Sequence, residues 1–227
     1  MIKGALPNPA LFLLQYFKKT LITKGIELKN DVFVNLNEES LAQESLKPIY
    51  THHSVNLSKI IKATNMKSIN LYADAMHKMA GYIQTGDGSF EGGTIATLDF
   101  WENKNINTKG IFMEDGSGLS RFNAVSAKSL THIVKYTLNN DRKKFFLNSL
   151  PIAGRTGTLK GISKNRIAAG RIYAKSGYIK NVRAYTGLIN TYSEKKLVFS
   201  ILINNHSKSF RELSKDIESI FDLLVRL

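Results

Sequence analysis

The chain contains no cysteine. That excludes a disulfide framework, a thiolate zinc site and a cysteine nucleophile together, while leaving the redox compartment open. No run of 18 apolar residues occurs, so no membrane-spanning helix is expected. The apolar stretch Ala10-Leu11-Phe12-Leu13-Leu14 is short for a signal core, follows Pro7 and Pro9, and has no small-residue cleavage site after it. It reads instead as a helix, capped by Asn8, begun by Pro9 and stopped by Gly25. No export address is visible. The five histidines, His52, His53, His77, His132 and His206, form no His-x3-His pair with a nearby carboxylate, so no metal site is expected. No glycine-rich phosphate loop is present, and nucleotide binding has no support. There is no internal repeat and no low-complexity linker.

What is present is a basic, globular composition. The 227 residues include 32 Lys+Arg and 18 Asp+Glu, a balance of +14. With 43% hydrophobic and 22% charged residues, the chain falls in the globular range. A wholly disordered chain, collagen and a coiled coil are excluded. One large or two small domains can each bury a core at this length. The positive charge suits anionic polymers in general. Specific nucleic-acid binding wants basic residues clustered on one face, but the lysines here are scattered, at Lys18-Lys19, Lys143-Lys144, Lys164 with Arg166, and Lys195-Lys196. A nucleic-acid module is therefore only a weak alternative.

The first third reads as helical. After a helix from about Pro9 to Lys24 comes an acidic patch, Asn37-Glu38-Glu39-Ser40, and a short strand near Lys47–Thr51. Leu57, Ile60 and Ile61 have helical spacing that breaks near Asn65. A helix from about Asn70 to Gln84 sets Leu71, Ala75, Met79 and Tyr82 on one face. Gly86, Gly88, Gly92 and Gly93 mark a loop before a helix over Ala96–Trp101. Ile111-Phe112-Met113 reads as a short strand leading into a turn-rich loop, and Ser126 caps a helix with Leu130, Ile133, Val134 and Leu138. Residues 151–170 are glycine-rich and loop-like. Three strands follow, over Arg171–Lys175, Val182–Asn190 and Leu197–Ile203. The third is nearly all apolar and reads as buried on both faces. Polar links suggest antiparallel hairpins. A closing helix from Ser209 presents Phe210, Leu213, Ile217, Ile220, Phe221 and Leu224. The fold class is α+β, an antiparallel sheet flanked by helices.

Two short motifs carry chemistry. Lys175-Ser176-Gly177, at the end of the first strand, offers an ammonium, a hydroxyl and a position without a side chain, which suits an anionic substrate lying close to the backbone. By itself the tripeptide is equally an ordinary charged strand end with a turn glycine. Ser68-Ile69-Asn70 lies in the break between two helices. Ser68 there is also a plain helix N-cap, and Ser54-Val55-Asn56 and Ser163-Lys164-Asn165 share its spacing.

Order and context go further. A Ser-x-Asn element followed by a Lys-[Ser/Thr]-Gly element belongs to the pattern of penicillin-recognising serine enzymes. Leu57-Ser58-Lys59-Ile60-Ile61-Lys62-Ala63-Thr64-Asn65 with Lys67-Ser68-Ile69-Asn70-Leu71-Tyr72-Ala73-Asp74 resembles the middle motif of the D-alanyl-D-alanine carboxypeptidase/endopeptidase family, the class C low-molecular-mass penicillin-binding proteins. Asp115-Gly116-Ser117-Gly118-Leu119-Ser120-Arg121 with Asn123 resembles that family's signature loop. Gly154, Gly157-Thr158-Leu159-Lys160, Ala168-Ala169-Gly170-Arg171 and Ala174-Lys175-Ser176-Gly177 resemble its final stretch. The likeness runs from about Asn8 to the C-terminus.

The resemblance implies a β-lactamase/transpeptidase-like fold and a set of roles. Ser68 would pass a proton to the leaving D-alanine nitrogen, and Asn70 would hold the substrate's peptide carbonyl. Lys175 would orient Ser68 and attract the terminal carboxylate. Ser176 stands where the family usually has Thr and keeps the hydroxyl. Gly177 leaves room for substrate backbone, and the N–H of Tyr178 would supply one arm of the oxyanion hole. Asp115, Ser120 and Arg121 would shape the cleft. No metal or organic cofactor is needed. The partners implied are peptidoglycan peptides ending in D-Ala-D-Ala, with β-lactams as inhibitors, in the periplasm or cell envelope. The family's nucleophile is a Ser-x-x-Lys serine ahead of the Ser-x-Asn motif, and none occurs before Ser68. Ser193-Glu194-Lys195-Lys196 fits the pattern but falls in a polar hairpin turn. The expectation is that residues 1–227 form the C-terminal part of a penicillin-binding, transpeptidase-like domain, inactive without that nucleophile. A non-catalytic peptidoglycan-binding relative is the alternative.

Overall fold

The computed structural model of the chain describes residues 6–30, 34 and 50–227. They fall into two compact units, 1–53 and 54–227. In the first unit, helix α1 spans Pro9–Thr23. Its start is built as the sequence implies: the Asn8 carboxamide accepts the Leu11 N–H at 2.9 Å, and Pro9 occupies the first turn. Gly25, at φ 78°, ends it. The acidic patch at 37–40 and residues 47–49 of the expected short strand lie outside the described residues, and Tyr50 and Thr51 carry no strand.

The second unit begins with α2 (Leu57–Lys67), α3 (Asn70–Thr85), α4 (Phe90–Glu102), α5 (Ala127–Leu138) and α6 (Lys143–Ser149). A 3-10 turn at Gly157–Leu159 precedes strands β1 (Ile172–Ile179), β2 (Val182–Asn190) and β3 (Lys196–Ile203), and α7 (Phe210–Val225) closes the chain. The strands form an antiparallel meander in the order β1-β2-β3. Lys175 pairs with Thr186, and Thr186 with Ser200.

Several details depart from expectation for physical reasons. Strand β1 continues to Ile179, so Lys175-Ser176-Gly177 lies inside the strand rather than at its end; the link to β2 is only Lys180-Asn181, with Asn181 at φ 62°. Ser176 and Gly177 do not break the ladder because Tyr185 and Ala184 pair with them. Gly92 and Gly93 belong to α4, not to a loop. They let α3 and α4 approach closely: a Cβ on Gly81 would sit 2.5 Å from the Gly92 carbonyl carbon. The residues foreseen on one apolar face of α3, Leu71, Ala75, Met79 and Tyr82, are exposed, and the helix buries His77 and Gly81 instead. Strand β3 is an edge strand, half-buried along most of its length, with Phe199 alone fully buried. Residues 111–113 form a single bridge, from Phe112 to Ala124.

The core fills one face of the sheet. A capping box of Ser209 and Glu212 starts α7, and Leu213, Ile217, Phe221 and Val225, spaced by four, are its buried stripe. Phe210 and Ile220, expected on that stripe, remain largely exposed. Phe221 packs edge-on against Tyr185 and Phe199, at 5.8 Å and 5.5 Å between ring centres, beside Ile172, Ala174 and Ile189. The aperiodic segment after α6 is pinned to the same helix. Glu218 accepts the Ser163 N–H at 2.7 Å, and Asp222 pairs with Arg166 at 2.7 Å. The opposite face of the sheet, bearing Lys175, Gly177, Ala184 and Thr186, is turned away from α7 by strand alternation.

Candidate active site

Helices α2 and α3 meet at a two-residue joint. Ser68 closes α2 in the left-handed conformation, φ 53° and ψ 55°, a region that non-glycine residues seldom occupy. The N-cap of α3 is Ile69, and no side chain caps that helix. The Ser68 hydroxyl is therefore not used as a cap. It accepts a hydrogen bond from Lys175 Nζ at 3.0 Å, bringing an early helix joint onto a late strand.

Lys175 Nζ also donates to the Ser176 carbonyl at 2.5 Å. Burial of the ammonium lowers its pKa from the ordinary 10.5, since desolvation disfavours the charged form. No carboxylate offsets this: among the described residues Lys175 has no ion-pair partner. A partly desolvated cation held by hydroxyl and carbonyl oxygens has capacity left for an anion.

The backbone of β1 adds donors on the same side. The Ala174 N–H donates to the Pro151 carbonyl, and the Ile172 carbonyl accepts from Ala153, both at 3.0 Å. Residues 151–153 thus cover the first half of the outer edge. In an antiparallel ladder alternate residues turn their backbone groups the same way, so those of Ser176 and Tyr178 face outward too, beyond the covered stretch.

Thr158 joins this group from the 3-10 turn. Its Oγ1 lies 2.8 Å from Ser176 Oγ. The Gly157-Thr158-Leu159 run stands out in the sequence as a motif, but nothing in local spacing indicates that Thr158 meets a residue 18 positions later.

The loop 114–121 is organised around one carboxylate. Asp115 accepts from the backbone N–H groups of Gly118 at 2.5 Å and Ser120 at 2.7 Å, and from the Asn123 side chain at 3.1 Å. Burial works to raise its pKa, yet these donors together hold it below the ordinary 3.8. The loop rests directly on α3, where a Cβ on Gly116 would stand 2.6 Å from the Ala73 carbonyl. A groove of about 570 Å³ runs from Asp115, Ser120 and Asn123 to Gly177 and Tyr178, walled by apolar residues such as Leu130 and Leu202.

The structure thus brings Ser68, Lys175 and Ser176 together and sets Gly177 and Tyr178 on the adjoining groove. Asn70 stands exposed at the first position of α3, and its side chain makes no hydrogen bond among the described residues. Arg121 lines a separate polar notch with Lys180 and Asn181. Ser193 lies in the β2–β3 turn and donates to the Leu227 carbonyl at 2.8 Å. Among the described residues no three His, Asp or Glu side chains gather as a metal site, and no helix is long and apolar enough to cross a membrane.

Residues 2–225 match the family described as D-Ala-D-Ala carboxypeptidase 3 (S13). The chain is 28% identical over 205 residues to a D-alanyl-D-alanine carboxypeptidase of an Actinomadura species, covering 88% of this chain and 38% of the relative. It is 27% identical over 211 residues to the D-alanyl-D-alanine carboxypeptidase DacB of Haemophilus influenzae, covering 89% and 42%. It therefore spans about two fifths of the length of these curated relatives. The crystal structure of penicillin-binding protein 4 from Haemophilus influenzae, complexed with a β-lactam, superposes with a TM-score of 0.84 at 24% identity, over 99% of this chain and 53% of that one. The α+β arrangement of helices around an antiparallel sheet is that of a penicillin-binding protein.

Proposed function

Because the chain belongs to the D-Ala-D-Ala carboxypeptidase 3 (S13) family, we propose that its site handles the leaving-group side of serine-type cleavage of peptidoglycan peptides ending in D-Ala-D-Ala, in the cell envelope. The observation that carries this reading is the 3.0 Å contact between Lys175 Nζ and Ser68 Oγ.

In this reading the substrate peptide lies along the open half of β1. Its terminal carboxylate approaches the Lys175 ammonium, and Gly177 leaves room for its backbone. Asn70 holds a peptide carbonyl of the substrate upstream of the scissile one. The Tyr178 N–H points toward the scissile carbonyl oxygen, where charge develops as that carbon becomes tetrahedral. An interaction of this kind is worth about 2.7–4 kcal/mol to the transition state. As the C–N bond breaks, the acyl group passes to the nucleophilic serine of the family's Ser-x-x-Lys motif, and Ser68 relays the proton that serine gives up to the departing D-alanine nitrogen. Lys175 keeps the Ser68 hydroxyl oriented by donating to it, which leaves the hydroxyl proton free to move. β-Lactams present a similar amide and carboxylate and are expected to compete. Membership of a carboxypeptidase family favours this over a non-catalytic wall-binding relative, and an ammonium donating to a serine hydroxyl orients that hydroxyl for proton transfer as well as attracting a carboxylate.

Binding tests this without a nucleophile. Titration of diacetyl-L-lysyl-D-alanyl-D-alanine into the protein, followed by NMR, should show saturable binding at β1. The isomer ending in L-Ala-L-Ala should bind at least about tenfold more weakly, a difference near 1.4 kcal/mol. Equal binding of the two isomers contradicts the proposal.

A further inference from the structure

Thr158 has no role in the scheme above, and its surroundings supply one. Its hydroxyl and that of Ser176 lie 2.8 Å apart, both at the surface. Two hydroxyls contain two protons, and their mutual hydrogen bond uses one. The other remains free to donate outward. Beside it, Lys175 Nζ is fixed by its 2.5 Å bond to the Ser176 carbonyl. A free hydroxyl donor and an ammonium thus converge on residue 176, at the outward-facing edge of β1.

The turn that carries Thr158 is held in place from both sides. Leu159 is completely buried, at 0% exposure, and its carbonyl accepts the Gly154 N–H at 3.0 Å. Gly157 has φ +58°, and a Cβ there would stand 3.0 Å from the Met66 carbonyl oxygen and sulfur and from Pro151 Cβ. Met66 lies two residues before Ser68. The turn therefore sets the position of the Thr158 hydroxyl relative to both the Ser68 joint and β1, a precision that an incidental surface threonine does not need.

We propose that Thr158 is a positioning residue which, through Ser176, builds a two-hydroxyl receptor for the terminal carboxylate of a bound peptide next to Lys175. This rests on the D-Ala-D-Ala reading of the site and deepens it, by adding Thr158 as the residue that positions the Ser176 hydroxyl there. A hydrogen bond to a carboxylate is roughly twice as strong as one between neutral groups. Fixing the Ser176 hydroxyl thus favours an acid terminus over an amide. Without Thr158 Oγ1, the Ser176 hydroxyl rotates among its staggered positions and the preference falls.

The test compares Thr158→Val, which keeps the branched shape but loses the hydroxyl, with Thr158→Ser, which keeps the hydroxyl. Each is titrated with diacetyl-L-lysyl-D-alanyl-D-alanine, the same peptide as its C-terminal amide, and N-acetylglycine as a carboxylate without D-stereochemistry. The wild type should prefer the acid to the amide. Thr158→Val should lose about tenfold in acid affinity, the effect expected of one hydrogen bond to a charged group, with the amide unchanged. Thr158→Ser should restore it, and Thr158→Val should add nothing in a Ser176→Ala background. The inference is overturned if Thr158→Val leaves the acid–amide gap intact, weakens acid and amide equally, or is not rescued by serine. It is overturned as well if the wild type shows no acid–amide gap. If the D-Ala-D-Ala acid binds no better than N-acetylglycine, the peptidase reading falls, while the gap still decides the role of Thr158.

Discussion

Lys175 and Ser68 are 107 positions apart in sequence and 3.0 Å apart in space. The ammonium is partly buried, has no carboxylate partner among the described residues, and donates to a serine whose backbone is held in a left-handed conformation. A stabilising ion pair would have brought an acid to this lysine. Its position beside a hydroxyl instead suits a site that waits for the substrate's negative charge.

The lysine makes a pH prediction whose sign is fixed. Burial places its folded pKa below the ordinary 10.5. Between the two values the unfolded chain binds more protons, so this group's contribution to stability rises with pH there. Lys175→Met removes the titration. Thermal melts from neutral pH toward 10.5 should therefore shift the stability difference between wild type and Lys175→Met in favour of the wild type. Carboxylate binding should weaken over the same rise, as the ammonium loses its proton. A difference that stays flat with pH would contradict the burial of the charge.

Asp115 gives the complementary case at low pH. Its carboxyl is held below the ordinary 3.8 in the folded chain, so its contribution is complete above that value and is lost as pH falls through the folded one. Asp115→Ala should cost about 1 kcal/mol at neutral pH, the usual net worth of a hydrogen bond. The cost should shrink in acid. Thermal melts of both proteins at neutral pH and below 3.8 check this.

Gly157 couples the 3-10 turn to the Ser68 joint. An alanine there would keep φ +58° and place its Cβ 3.0 Å from Met66 and Pro151. Holding such a backbone costs about 1–3 kcal/mol. Gly157→Ala should lower the melting temperature by several degrees, at about 2–4 °C per kcal/mol for a chain of this size, and should weaken peptide binding. An unchanged melt would show that the turn yields easily.

Phe221 tests the opposite face of the sheet. It is fully buried between Tyr185 and Phe199. Phe221→Ala should destabilise the protein by about 3–5 kcal/mol, measured by urea unfolding, a loss large enough to threaten folding altogether.

Where local rules act alone, the sequence is legible. Asn8, Pro9 and Gly25 mark both ends of α1, Ser126 and Ser209 start α5 and α7, and apolar runs separated by polar links outline the three strands in order. The reading fails where residues serve distant partners. Gly92 and Gly93 look like turn residues but are helical, because Gly81 needs their bare backbone. Ser176 and Gly177 look like a strand end but continue the ladder opposite Tyr185 and Ala184. Helix α6, Lys143–Ser149, is too short for periodicity to reveal. At the site, motif order alone suggests the pairing of Ser68 with Lys175. Thr158 could not be given a role, since its partner is set by how the turn folds back onto β1.

The most direct test of the account is a double-mutant cycle on D-Ala-D-Ala peptide binding, using Ser68→Ala, Lys175→Ala and the double variant. If the hydroxyl and the ammonium form one receptor, the two losses will not add, and the coupling will reach about 0.5–3 kcal/mol, as for residues in direct contact. Losses that sum within error, or single variants that bind the peptide as well as the wild type, would contradict it.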